Sequence, residues 1–261
     1  MFDYIENYVT NNVTDYVISA GIISLYSLKR GLSKMKIFCM SDIHGCLAAF
    51  NAALDRVVGS LKKKNTKLVL LGDYIHGGAD ADDIGVLDRV ISLQRQYGND
   101  KVIALMGNHE ELVLLGESPI SYSADISDEE QVKYVRWMKK LPRFYTEGNT
   151  IFVHAGIDEE AGDLWKCGTG DEIFVGKFPA ETGQIEDLDM KVVAGHVGTA
   201  EISGNPEFND IYFDGVSHYY IDGTTVRSGK IPVLMVDTAA DKYYSVTETG
   251  DQLILPYDAK A

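Results

Sequence analysis

The strongest constraint on the fold is a repeated way of ending apolar runs. "KIFCM" (36–40) runs directly into "SDIHG", "TKLVLLGD" (66–73) stops at Gly-Asp, and "KVIALMGNHE" (101–110) stops at Gly-Asn-His-Glu. Further on, "NTIFVHAG" (149–156) and "MKVVAGH" (190–196) each end in histidine and glycine. Runs this short, nearly all apolar and rich in Val, Ile and Leu, read as strands buried on both faces, which is typical of parallel sheets. Side chains on a strand alternate with a period of two, so Asp42 and His44 emerge on the same side where the first run ends. In parallel sheets ligands gather beyond the carboxyl ends of the strands, where all these polar clusters fall.

The intervening segments fit helices. Leu47, Phe50, Leu54 and Val57 recur at helical spacing, predicting a helix from Leu47 to about Ser60, and another is expected around Ile84 to Tyr97. Strand, helix, strand, helix, strand at this spacing indicates βαβ units and an α/β fold. Residues 117–145 break that rhythm. "SDEEQVKYVRWMKKLPRFY" carries a capping-box start at Ser127 with Glu130 and a helix that must stop before Pro142, so a small helical insertion overhanging the strand ends is expected. From Ile211 to Val246, short β-prone runs alternate with Asp-Gly pairs ("FDG", "IDG"), predicting hairpins.

Composition sets the class. With 261 residues and 45% hydrophobic content the chain can bury a large core, and 24% charged residues argue against wholesale disorder. A net charge of −15 opposes a nucleic-acid polymer or an anionic membrane as the main partner. Cys39, Cys46 and Cys167 form no CxxC pair, and this sparse, odd count fits a cytoplasmic protein better than a disulfide framework. Residues 1–34 make a poor secretory signal, since acidic and polar residues precede their apolar middle. They read as an N-terminal extension, either a helix packing on the domain or an upstream, non-native start, with Met35 the natural beginning of a domain spanning 35–261.

The strand ends supply Asp42, His44, Asp73, Asn108, His109, His154 and His196. Each alone is more often a cap, a turn former or a satisfied histidine. Together they offer only oxygen and imidazole donors from five strand ends, which suits two hard or borderline divalent ions such as manganese, iron or zinc.

These motifs resemble the calcineurin-like metallophosphoesterase superfamily, specifically its phosphoprotein phosphatase branch with the symmetrical diadenosine tetraphosphate hydrolases. That family's signature runs GDxHG, GDxxDRG, GNHE, HAG and GH; this chain has "SDIHG", "GDYIHGG", "GNHE", "HAG" and "GH" in the same order. The resemblance implies a four-layer α/β/β/α sandwich and a binuclear centre holding two divalent ions, manganese first among them. Asp42 and His44 would hold the first ion, Asp73 would bridge both, and Asn108, His154 and His196 would complete the second. Metal-bound hydroxide would attack phosphorus in line, His109 would be the general acid for the leaving oxygen, and Asn108 would also contact substrate.

The second motif departs from the family. His76 stands where an aspartate supports the catalytic histidine, and Gly77 replaces an arginine that clamps phosphate. The arginine that follows the HAG motif is also missing, with Lys166 and Lys177 nearby instead. His76 is therefore expected to contact substrate in place of the lost arginine, and Asp and Arg at 76 and 77 would be expected to restore ordinary phosphatase behaviour. The reading is a phosphomonoesterase of serine/threonine protein phosphatase type acting on a phosphorylated substrate. The alternatives are a symmetrical dinucleoside tetraphosphate hydrolase or, in another class, a regulatory or binding protein that keeps the metals with little activity.

Overall fold

β1 (Lys36–Met40) sets the layering. Ile37 and Cys39 point into an apolar cluster shared with Phe152, Val193, Tyr219 and Tyr243, while Phe38 and Met40 point the opposite way into a second cluster with Phe50, Leu54, Leu87 and Val90. A strand buried on both faces must lie between two layers, which explains why "KIFCM" is apolar without alternation. The computed structural model describes residues 34–258, so the extension expected at 1–34 lies almost wholly outside the described residues.

Two sheets face each other across the first cluster. One has the order β11-β10-β9-β1-β2-β3 and the other β4-β5-β6-β8-β7. In the first sheet β1, β2 (Thr66–Leu70) and β3 (Val102–Ala104) are parallel, and β9 (Leu234–Asp237), β10 (Lys242–Thr247) and β11 (Gly250–Leu253) are added antiparallel. In the second, β5 (Thr150–Val153), β6 (Lys191–Ala194) and β8 (His218–Tyr220) are parallel, flanked by antiparallel β4 (Phe144–Glu147) and β7 (Tyr212–Phe213). Helices cover the outer face of the first sheet, and Trp165, Phe174 and Val175 from short helices cover that of the second. This is the four-layer α/β/β/α sandwich expected from the motifs.

Helix boundaries follow their local chemistry. α1 (Leu47–Asp55) ends earlier than its apolar spacing predicts, and a separate turn of helix, α2 (Val58–Leu61), follows. The break falls beside Arg56, whose guanidinium donates to the carbonyls of Val246 (2.8 Å) and Ile231 (3.0 Å) on the neighbouring strand region. α3 (Asp83–Tyr97) is capped by Asp82, which accepts from the Gly85 N–H at 2.8 Å. α4 (Asn108–Leu115) starts on the GNHE motif. In the insertion, α5 (Asp128–Met138) has the expected capping box, with Ser127 and Glu130 exchanging hydrogen bonds.

The insertion lies differently from expectation. α5 packs on α3, through Trp137 Nε1 to Gln94 Oε1 (2.8 Å) and Tyr134 Oη to Asp88 Oδ1 (3.0 Å), instead of overhanging the strand ends. The loop before it reaches the site, through the Pro119 carbonyl at His76. Among the described residues no helix is long and apolar enough to cross a membrane, and Cys39, Cys46 and Cys167 are unpaired.

Candidate metal centre

Because β1 pairs with β2 in register, with Met40 opposite Leu70, the loops that follow run side by side. The N–H groups of Ile43 and His44 both donate to the Asp73 carbonyl, at 2.8 and 2.9 Å. That crossing forces unusual backbone. Asp42, His44, Asp73, His76 and His196 all have positive φ, between 48° and 71°. Non-glycine residues held in this region carry strain that the surroundings must impose, and such residues cluster at functional sites. A Cβ at Gly107 would lie 2.2 Å from Asp73 Oδ1, so only glycine lets α4 begin this close to that carboxylate.

The side chains converge as two groups that share Asp73. His44, Asp73 and His109 present ligand atoms within 4.8 Å of one another, and so do Asp73, His154 and His196. His44 Nε2 lies 3.7 Å from Asp73 Oδ2 and 3.9 Å from Asp42 Oδ1, and His109 Nε2 lies 3.8 Å from Asp73 Oδ2. On the other side His154 Nε2 is 3.4 Å from Asp73 Oδ1. Asn108 Oδ1 sits 2.9 Å from His154 Nε2 and 3.1 Å from His196 Nδ1; turned over, its amide nitrogen would donate to both Asp73 oxygens. Asp42 accepts from the His196 N–H at 3.1 Å, tying the two sheets together. All six residues expected to hold metal are thus brought to one place, joined by His109.

The donor set fits divalent cations. The Ile75 carbonyl, 3.0 Å from His44 Nδ1, can only accept, so Nδ1 carries the proton and the Nε2 lone pair faces two carboxylates. Asp42 and Asp73 are buried, and among the described residues the groups that shift them include no lysine or arginine. Burial pushes Asp42 well above the usual carboxylate range, and the charges of Asp222 and Asp73 push it further. Burial drives His154 down to about 4 and also lowers His196, leaving neutral imidazoles ready to donate lone pairs, and it lowers His109 as well. Burial would raise Asp73, yet the His154, His44 and His109 imidazoles and the His109 N–H hold it below its ordinary value. Buried carboxylates with imidazoles as their neighbours suit a positive ion between them.

Three residues behave differently from expectation or escaped it. Asp222, at the end of β8, lies close enough to Asp42, Asp73 and His44 for their charges to interact, and burial raises its pKa. Its "YYIDG" has the same strand-then-Asp-Gly form as the other ends, a signal that reading it as a hairpin turn concealed. His76 was expected to contact substrate, yet both its ring nitrogens are engaged within the protein, by His109 Nδ1 (3.0 Å) and the Pro119 carbonyl (2.7 Å). At Gly77 a Cβ would lie 1.7 Å from the His44 carbonyl oxygen, so an arginine cannot be restored there without displacing a ligand loop. The nearby lysines do not fill the gap: Lys166 lies over the Trp165 ring, and Lys177 bonds Ile157 O at 2.8 Å and pairs with Glu159.

The calcineurin-like phosphoesterase family profile matches residues 35–225, which contain every one of these ligands. The chain belongs to that family. It is 36% identical over 122 residues to a zinc-dependent endopolyphosphatase of Saccharomyces cerevisiae, covering 46% of this chain and 32% of that protein. It is 28% identical over 137 residues to a symmetrical bis(5'-nucleosyl)-tetraphosphatase of Delftia acidovorans, covering 47% and 45%. The matches thus span less than half the length of these curated relatives. Among phosphoesterase folds of known structure, a cold-active protein-tyrosine phosphatase from a Shewanella species superposes with a TM-score of 0.58 at 14% identity, covering 84% of this chain and 80% of that one. A candidate diadenosine tetraphosphatase superposes with a TM-score of 0.55 at 20% identity, covering 82% and 93%. At such identities the likeness is one of fold.

Proposed function

We propose that this chain hydrolyses phosphate esters with two divalent ions held by Asp42, His44, Asp73, Asn108, His154 and His196. The observation that carries the reading is the sharing of Asp73 between two ligand groups, the arrangement by which one carboxylate holds two cations close together. When bound, such ions polarise a phosphoryl oxygen and make water nucleophilic at neutral pH. The protein's own groups do the rest. Asp73, fixed by the His109 N–H at 3.1 Å, anchors the centre. Glu110 accepts from the N–H groups of Asp73 (2.9 Å), Tyr74 (2.8 Å) and Gly107 (3.1 Å) and so locks the two glycine turns together. His109 Nε2 faces the centre and serves as the proton donor to the departing oxygen.

The substrate reading is a phosphomonoester of protein-phosphatase type, since "GNHE" and the "GHVG" ending resemble that branch. A second reading, phosphoanhydride hydrolysis, is favoured by the names of both curated relatives, a polyphosphatase and a tetraphosphatase. Manganese is the first choice of ion, with zinc supported by the name of the yeast relative. The test is a metal-by-substrate matrix: 4-nitrophenyl phosphate, a phosphopeptide, diadenosine tetraphosphate and linear polyphosphate, each with manganese, zinc and iron. Turnover of the first two above the last two supports the monoester reading, and the reverse order replaces it with anhydride hydrolysis. Metal binding without turnover of any of them leaves a binding protein.

A further inference from the structure

The motif that departs most from the family, "GDYIHGG", leads to a contact that the metal centre itself does not use. His76 bridges the loop before α5 and the His109 ring. Its Nε2 lies 2.7 Å from the Pro119 carbonyl oxygen and its Nδ1 lies 3.0 Å from His109 Nδ1. Tyr122 lies against the His76 ring, centroids 5.0 Å apart, and His76 is itself tilted on the His109 ring at 5.1 Å. The loop is tied down independently, since Ser123 Oγ donates to the Ala81 carbonyl at 2.6 Å.

These contacts fix the protons. A carbonyl oxygen only accepts, so His76 Nε2 carries hydrogen and, in the neutral ring, His76 Nδ1 is a lone pair. A lone pair 3.0 Å from His109 Nδ1 requires that nitrogen to donate. His109 therefore keeps a proton on Nδ1, and its Nε2, facing Asp73, is the nitrogen that can gain and lose one.

We propose that His76 is the positioning residue for His109, holding it in the Nδ1–H tautomer and aiming Nε2 at the leaving oxygen, with the Pro119 carbonyl as its backstop. This rests on the reading of His109 as proton donor. In the step served, a water oxygen bonds to phosphorus and gives up a proton to solvent, the phosphorus–oxygen bond to the leaving group breaks, and that leaving oxygen takes the Nε2 proton. His109 is left neutral with its Nδ1–H still on His76, and it regains a proton from solvent. An imidazole here orients the donor without adding the negative charge that a carboxylate would bring. The insertion is thereby coupled to the chemistry through one carbonyl group.

The positive φ of His76, 71°, dictates the variants. Glycine adopts that conformation without strain and removes both contacts, and asparagine tolerates it while keeping an oxygen near the position of Nδ1. In the full chain loaded with zinc or magnesium, long-range nitrogen–proton correlation spectra should show His109 protonated on Nδ1 in the wild type and in His76→Asn, and a tautomer mixture in His76→Gly. His76→Gly should lower kcat on phenyl phosphate by about tenfold or more, within the range for general-acid catalysis, with KM little changed. On 2,4-dinitrophenyl phosphate, whose leaving group needs no proton, the loss should shrink to about threefold or less. His76→Asn should recover most of it, and His76→Gly should add little to His109→Ala. An unprotonated His109 Nδ1 in the wild type, equal losses on both esters, or additive effects in the double variant would overturn the proposal. If no ester is turned over at all, the functional reading falls, while the spectra alone still decide whether His76 orients His109.

Discussion

The two ligand groups that share Asp73 are built in different ways. His154 and His196 stand on the ends of β5 and β6; the His154 ring is completely buried, and His196 is partly buried. His44 stands on the loop beyond β1 and His109 in the first turn of α4, beyond β3, with side chains 19% and 28% exposed, and His109 leans on His76 and so on the insertion loop. One wall is thus anchored in the folding core by His154, and the other is reachable from solvent and tied to the insertion loop. Under the proposed function, the difference means that the wall anchored by His154 would fix an ion while the open wall would receive substrate and move protons.

Asp73→Ala is the harshest test, because that residue belongs to both walls. It should bring metal-dependent turnover to background and abolish binding of both ions, as read by metal analysis after gel filtration. Retention of two ions with near-normal turnover would break the idea of a shared carboxylate. His109→Ala touches the open wall alone. It should keep both ions yet lose about 10²–10⁴-fold in kcat on phenyl phosphate, and much less on an ester with a better leaving group. Loss of an ion in this variant would instead make His109 a ligand, as its place in the first group allows.

Much of this centre was legible in the sequence, for a physical reason. A strand buried on both faces must be apolar throughout, so a polar residue marks its end sharply, and parallel strands bring their ends to one edge. Asp42, Asp73 and His196 were readable on that ground. Asp222 was not, because Asp-Gly carries the same turn chemistry wherever it occurs. Asp214–Gly215 does join the hairpin β7–β8, whereas Asp222–Gly223 follows β8, which pairs parallel with β6. Only the strand order separates the two. Gly77 was equally opaque: it looked like a lost clamp, and the structure shows a glycine demanded by the His44 carbonyl. The Ser127–Glu130 box was readable because capping is local, but where α5 would pack was not, since that depends on α3 far along the chain.

Paired truncations measure the walls directly. His154→Ala removes a fully buried ring and should destabilise the metal-free protein by about 2 kcal/mol, the cost of a modest core cavity. His44→Ala, partly exposed, should cost less than about 1 kcal/mol without metal while weakening metal binding as severely. Urea unfolding in chelator gives both numbers. Equal stability losses would mean that the open wall is as much a part of the core as the buried one.

The mildest prediction asks how far the buried wall depends on its own sheet. Asp214, in the β7–β8 turn, accepts from the N–H groups of Gly183 (2.8 Å), Val216 (2.8 Å), Ser217 (2.9 Å) and His218 (3.0 Å), and pairs with His218 Nδ1 at 3.1 Å. Burial alone would raise its pKa, but the His218 hydrogen bond and these N–H groups hold it well below the usual carboxylate range. A carboxylate depressed in the folded state stabilises that state above its unfolded value, near 4, and the contribution is lost as pH falls below it. Asp214→Asn keeps one acceptor and gives up the charge, so it should cost about 1 kcal/mol at pH 7, with the difference from wild type narrowing towards pH 3. Metal affinity should not change, because Asp214 precedes β8 while the ligands follow the opposite ends of β5 and β6. If the affinity falls together with stability, the buried wall is not fixed by its strands alone, and the contrast between the two walls is one of degree.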